Sequence, residues 1–275
     1  MTSVSYHFSS DDMAYATIAR GFEPSDLTDE PVANNYSGPP LGCELGVGLC
    51  QTDVVHDYKP EYSSSFELGE KSTLFDDRLR LNADIFYIDY ANRLFEVGKF
   101  VGTQIATFEE NVGSSRNYGF EMDAEYIPID ELTLTAGLGM TRAVFGQAPI
   151  IINGTPYNLD GHSGPDTPAY QATLAADWHK PLTADLTFGA RVDARLFGRS
   201  FWDGIDQYKQ SPYQVVDASV RLEYADHWTL AAYVKNLFDE RYNTFFVPAS
   251  ESGAPYNEAS IGAPRQAFVS LSVSY

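Results

Sequence analysis

Apolar and polar side chains alternate along almost every segment of this 275-residue chain, over runs too long for an ordinary soluble sheet. In LRLNADIFY, Leu79, Leu81, Ala83, Ile85 and Tyr87 oppose Arg80, Asn82 and Asp84; in YGFEMDAEY, Tyr118, Phe120, Met122, Ala124 and Tyr126 oppose Gly119, Glu121, Asp123 and Glu125. LTLTAGLGM and LTFGARVDARLF repeat the pattern. A period of two marks a strand with one apolar face, and helix signals are nearly absent. About eleven strands result, at roughly 2–9, 12–20, 60–73, 77–97, 104–128, 131–144, 169–181, 183–199, 212–224, 226–238 and 264–275. Several exceed about twelve residues, whereas soluble strands have about five or six. A tilted strand crossing a bilayer needs about 9–11 residues. The fold class is all-β, an antiparallel transmembrane β-barrel.

The connections carry an independent signal. Long loops near roughly 21–59, 98–103, 145–168, 200–211 and 239–263 alternate with brief turns near 9–11, 75–77, 128–130, 180–182 and 225–226. A soluble sandwich has no reason to sort its loops by parity. Outer-membrane barrels do, with short periplasmic turns and long extracellular loops. Aromatics (Tyr87, Tyr90, Tyr126, Trp178, Tyr213, Tyr224, Trp228, Phe238, Tyr275) cluster where strands end, as in interfacial girdles. Ordinary aromatic enrichment of strands would explain any one of them alone.

Composition agrees. No apolar run approaches the length of a transmembrane helix, and the mean hydropathy of −0.26 is an average over two opposed strand faces. A net charge of −20 argues against nucleic-acid binding, which needs a basic footprint. The first stretch, MTSVSYHFSSDDMAYATIARGF, lacks a basic region followed by an apolar one, so no signal peptide is visible. Cys43 and Cys50, in GCELGVGLCQ, are spaced to close a small disulfide loop in an oxidising compartment; two free thiols are the competing reading.

Catalytic chemistry is not legible. His7, His56, His162, His179 and His227 are scattered without metal-ligand spacing, and Ser163 in GHSGPD lacks the G-x-S-x-G elbow. Neither an enzyme, a metal site nor a cofactor is expected. Asp84, Glu121, Asp123, Glu125, Asp177, Asp185, Asp193, Asp217 and Glu223 occupy polar strand faces beside Arg80, Arg191, Arg195 and Arg221. They serve either wall electrostatics or a substrate path. The long loops offer Tyr157, then Phe201, Trp202 and Tyr208, then Phe245, Phe246 and Tyr256. Such aromatics can stack on a flat ligand or pack the loops against one another.

YKPEYSSSFELGEKSTLFDDRLRLNADIFYIDYANRL (58–94), NVGSSRNYGFEMDAEYIPIDELTLTAGLGMTRA (111–143), YVKNLFDERY (233–242) and GAPRQAFVSLSVSY (262–275) together resemble the C-terminal barrel of TonB-dependent outer-membrane receptors. NLFDERY followed by GAPR and a terminal aromatic is the most specific part. The resemblance implies a barrel of about 22 strands around an N-terminal plug, of which this chain holds the C-terminal half. It implies residence in the outer membrane of a Gram-negative bacterium and import of a ferric siderophore or similar scarce nutrient. The partners it implies are lipid, the TonB complex and the outer-membrane assembly machinery, which recognises a last strand bearing Val269, Leu271, Val273 and Tyr275. The sequence shows no plug domain, TonB box or signal peptide, so a fragment or truncated reading frame is expected, not competent for import alone. A passive porin-like channel and a secreted β-rich binding protein are the alternatives.

Overall fold

The computed structural model describes residues 1–31, 53–101, 104–152, 155–225, 227–249 and 256–274. Cys43, Cys50 and Tyr275 lie outside the described residues. The strands run β1 Thr2–His7, β2 Asp12–Glu23, β3 Leu27–Pro31, β4 Asp53–Asp57, β5 Glu61–Leu74, β6 Leu79–Ala91 and β7 Leu94–Val101. They continue with β8 Gln104–Asn111, β9 Ser114–Ile129, β10 Leu132–Phe145, β11 Pro149–Ile152, β12 Thr155–Asn158, β13 Tyr170–Pro181 and β14 Leu186–Phe197. The remainder are β15 Ser200–Phe201, β16 Lys209–Gln210, β17 Tyr213–Tyr224, β18 Trp228–Lys235, β19 Asn243–Val247, β20 Glu258–Ile261 and β21 Gln266–Val273.

Eleven strands form one antiparallel sheet in the order β1-β2-β5-β6-β9-β10-β13-β14-β17-β18-β21. Each pairs with its sequential neighbours in that order, so the sheet is a meander, as unbroken period-two patterning with short turns dictates. The other ten strands make five two-stranded hairpins, each inserted in a long connection. The loop near 98–103 is therefore far longer than the sequence suggested. β7 and β8 leave the sheet as their own hairpin instead of prolonging β6 and β9.

Register separates the faces cleanly. One row on the apolar face joins Trp178, Ala190, Val220, Ala232 and Val269 across β13, β14, β17, β18 and β21. The adjacent polar row holds Asp177 opposite Arg191, and Arg191 opposite Ser219. Val269, Leu271 and Val273 stand exposed on the apolar face, against Ala232, Leu230 and Trp228. Asp185, expected on a polar strand face, instead sits in the turn between β13 and β14.

The sheet encloses little core. Buried apolar side chains concentrate among the long connections, where Val112, Phe145, Ala148, Ile150 and Leu159 pack together with Phe95 and Ile205 at their margin. Gly113, with φ of +100°, sits against the Gln147 carbonyl where a Cβ would collide. Below this cluster Glu61, almost fully buried, accepts from Arg93 Nη1 at 2.9 and 3.0 Å and from the Leu94 N–H at 2.7 Å. The loop end of the sheet is thus the rigidly packed part.

Candidate functional site: an aromatic platform above a charged wall

The connection between β14 and β17 folds back on itself through one carboxylate. Asp203, 3% exposed, accepts from the Gln207 N–H at 2.9 Å and the Tyr208 N–H at 3.1 Å. The Trp202 N–H then donates to the Tyr208 carbonyl at 2.8 Å, which sets the two aromatic residues side by side. Phe246, from β19 of the next long connection, closes the group at 6.2 Å from the Trp202 ring and 5.3 Å from Tyr208. Burial raises the Asp203 carboxyl above the usual carboxylate range despite the two N–H donors, and Asp206 adds to the rise.

Asp206 ties this loop to its neighbour. Held at φ of +58°, it accepts from the Ser163 N–H at 3.1 Å, and His162 Nδ1 lies 3.4 Å from its other oxygen. Beside it the Asp166 N–H donates to the Phe201 carbonyl at 2.8 Å, and burial raises the Asp166 carboxyl. On the other side the Asn243 N–H donates to Gln210 Oε1 at 3.1 Å. The three last long connections are therefore stitched together around the aromatic group.

Of the seven loop aromatics singled out, the structure brings together Trp202, Tyr208 and Phe246 and leaves the rest apart. Phe245 points the other way from Phe246, as strand alternation requires, and is exposed. Phe201 carries the Arg199 guanidinium over its ring at 5.4 Å. Tyr157 in β12 and Tyr256 before β20 are exposed. The sequence reading overlooked Tyr242, which stacks on Tyr213 at 4.4 Å, with Phe197 on the far side of Tyr213 at 4.7 Å. It also missed Asp203 and Asp206, whose signal was the turn-forming WDGID segment.

The NLFDERY segment acquires a physical account. Asn236, buried at φ of +50°, accepts from the Glu240 N–H at 2.8 Å and donates to the carbonyls of Glu240 and Ala263, both at 3.0 Å. Its own N–H donates to Asp217 at 2.8 Å. Asp239 accepts from the Arg265 N–H at 2.9 Å. These two side chains thus bind the exit of β18 to the entry of β21.

Beneath the platform the polar face carries a linked charge network. Arg221 contacts Asp177 at 3.1 Å and Glu223 at 2.9 Å, Arg191 contacts Asp193 at 2.6 Å, and Arg195 contacts Asp217 at 2.9 Å. Gly189 lies opposite Arg221, and a Cβ there would meet the guanidinium, so its absence lets Arg221 lie across β14 to reach β13. No group of three metal-ligating side chains occurs among the described residues.

Residues 2–237 match the family described as "TonB dependent receptor-like, beta-barrel". The chain belongs to that family. It is similar to the pesticin receptor of Yersinia enterocolitica, 24% identical over 246 residues, which cover 88% of this chain and 31% of that protein. It is similar to the catecholate siderophore receptor Fiu of Escherichia coli, 26% identical over 276 residues, covering 98% of this chain and 32% of Fiu. The crystal structure of the ferric yersiniabactin uptake receptor FyuA from Yersinia pestis superposes with a TM-score of 0.74 at 19% identity, covering 99% of this chain and 36% of FyuA. The chain thus spans about a third of the length of these relatives.

As a TonB-dependent receptor barrel, the sheet lies in the outer membrane of a Gram-negative bacterium, and the family is one of transporters, not enzymes. Its apolar face meets lipid and its polar face the lumen. The short turns are periplasmic, and the stitched loops with their aromatic platform face the outside.

Proposed function

We propose that these strands are the C-terminal half of a barrel of about 22 strands that imports a ferric siderophore, with energy delivered by the TonB complex through a plug. The observation that carries the reading is the convergence of Trp202, Tyr208 and Phe246 from two successive extracellular loops at the mouth of a charged lumen. Flat iron chelates with aromatic or conjugated arms suit such a platform, and apolar surfaces with few polar groups favour binding. The catecholate siderophore receptor and the ferric yersiniabactin uptake receptor to which the chain is similar support this substrate class. Val269, Leu271 and Val273, with Tyr275, supply the signal read by the assembly machinery, as the alternating lipid face of β21 suits.

Tryptophan fluorescence tests the platform. Trp178 and Trp228 lie toward the periplasmic turns, so quenching by a ligand at the mouth reports on Trp202. Titration of the purified protein with iron-loaded catecholate, yersiniabactin and pyoverdine is expected to quench with at least one of them, and Trp202→Phe is expected to remove that response. Quenching that survives Trp202→Phe, or equal quenching by the iron-free compounds, would overturn the assignment.

A further inference from the structure

The lipid-facing side of the sheet carries two arginines that the fold leaves without partners. Arg116 on β9 and Arg142 on β10 are both exposed, and neither side chain forms a hydrogen bond or ion pair among the described residues. Val144 is opposite Arg116 and Tyr118 is opposite Arg142, so the two arginines are diagonal neighbours on one face. Diagonal positions across adjacent strands lie about 7–8 Å apart, close enough for both side chains to reach one ligand. Asp89 stands opposite Arg116 in register, yet no ion pair joins them. The row that holds Arg142 continues through Tyr118 to Tyr87, the two rings stacked at 6.4 Å, and Arg116 stands one pair further toward the loops. Rings and arginines meeting at the loop end of the apolar face mark the outer membrane–water interface.

Further down the same strands the apolar face is recessed. A groove of about 430 Å³ runs over Ala124, Ala136 and Ala194, with Tyr126, Leu174 and Val192 beside them. Ala124, Ala136, Leu174 and Ala194 form one register row across β9, β10, β13 and β14. Ala136 lies six residues from Arg142 along β10, a separation of about 20 Å at strand rise. With strands tilted about 45° this is a descent of about 14 Å, close to half of a hydrocarbon core about 30 Å thick. The distance from arginines to groove is therefore the depth of one leaflet.

We propose that Arg116, Arg142 and this groove form a seat for one phosphorylated acyl lipid of the outer leaflet, its phosphate on the two arginines and an acyl chain along the alanines. Two guanidinium groups without carboxylate partners give a phosphate charge-assisted, bidentate donors. The alanines leave room for a chain where neighbouring rows carry larger side chains. A zwitterionic lipid, whose phosphate is neutralised by its own ammonium, fits the arginine pair less well.

The test rests on the barrel reading proposed above and uses the whole receptor carrying these strands, extracted from outer membranes in mild detergent, stripped of lipid, and titrated with diphosphoryl lipid A, phosphatidylcholine or sodium phosphate, with bound species counted by native mass spectrometry. The wild type is expected to retain the diphosphorylated glycolipid over phosphatidylcholine, and R116S/R142S to lose about tenfold in that affinity. Ala136→Phe fills the groove and is expected to weaken glycolipid retention while leaving inorganic phosphate binding unchanged. Equal glycolipid retention by wild type and R116S/R142S, both showing the heat-modifiable shift of a folded barrel, overturns the seat. Equal retention of phosphatidylcholine also overturns it. If Ala136→Phe has no effect, or sodium phosphate displaces the glycolipid stoichiometrically, the arginines bind an anion only and the lipid assignment fails.

Discussion

Asp203 shows how one side chain sets the geometry of the extracellular mouth. Its carboxylate holds the N–H groups of Gln207 and Tyr208 at the cost of being buried, and burial wins, raising its pKa. The folded state then holds the proton more tightly than the unfolded one, so the stabilising contribution is complete below the ordinary carboxylate value of about 4 and is lost as pH rises through the raised value. Amide protection of Gln207 and Tyr208, corrected for intrinsic exchange, is expected to fall as pH rises above about 4. Asp203→Asn keeps an acceptor without a charge and should flatten that dependence. Protection that climbs with pH in the wild type would sink this account. Asn236 gives a larger effect. Replacing it with Ala removes three side-chain hydrogen bonds at a buried site and should cost about 2–3 kcal/mol. Urea titration of the folded barrel should show the lowered midpoint, with proteolytic nicking appearing first in the loop between β18 and β21.

Among the elements, β21 offers the sharpest contrast between faces. Val269 faces lipid within a five-strand apolar row, while Ser270 faces the lumen opposite Ala231. Val269→Arg is expected to cost about 2–4 kcal/mol and Ser270→Arg less than about 1 kcal/mol. Folding yield into vesicles, read by heat-modifiable migration, distinguishes them, and equal yields would refute the facing assigned to β21. These faces were legible in the sequence because residues such as Val269, Leu271 and Val273 alternate strictly with serines. Strand boundaries at the periplasmic turns were legible to within a few residues for the same reason, β1 ending at His7 and β14 starting only at Leu186. The hairpin β7–β8 was not. Alternation continues past Ala91, while the chain leaves the sheet through Asn92 at φ of +54° and returns through Gly113 at φ of +100°. Those are backbone events, and period-two patterning is blind to them; an Asn and a Gly at the two junctions were the available hint. The platform was half legible, since residue type nominated seven aromatics but only the fold could select Trp202, Tyr208 and Phe246. What selects them is Asp203, whose role depends on burial that no local pattern reveals.

For the molecule as a whole, the decisive property is that β1 and β21 each have one hydrogen-bonded neighbour among the described residues. Every unpaired backbone group at such an edge costs several kcal/mol in hydrocarbon. The eleven strands produced alone in a receptor-deficient strain are therefore expected not to restore growth on a ferric siderophore as sole iron source. Growth restored by these strands without any other receptor segment would contradict that. The direction of the two edges adds a constraint. In an antiparallel meander of eleven strands the outermost two run the same way, here from the loop end to the turn end. A second copy inserted in the same orientation would meet this one at parallel seams, breaking the ladder pattern shared by every other pair. It could close the ring in antiparallel fashion only upside down, with its long loops in the periplasm. In the barrel proposed above, the complementary segment would therefore hold an odd number of strands, its own outermost two both running from the turn end to the loop end. That is a polarity no symmetric self-assembly with a common membrane orientation can supply.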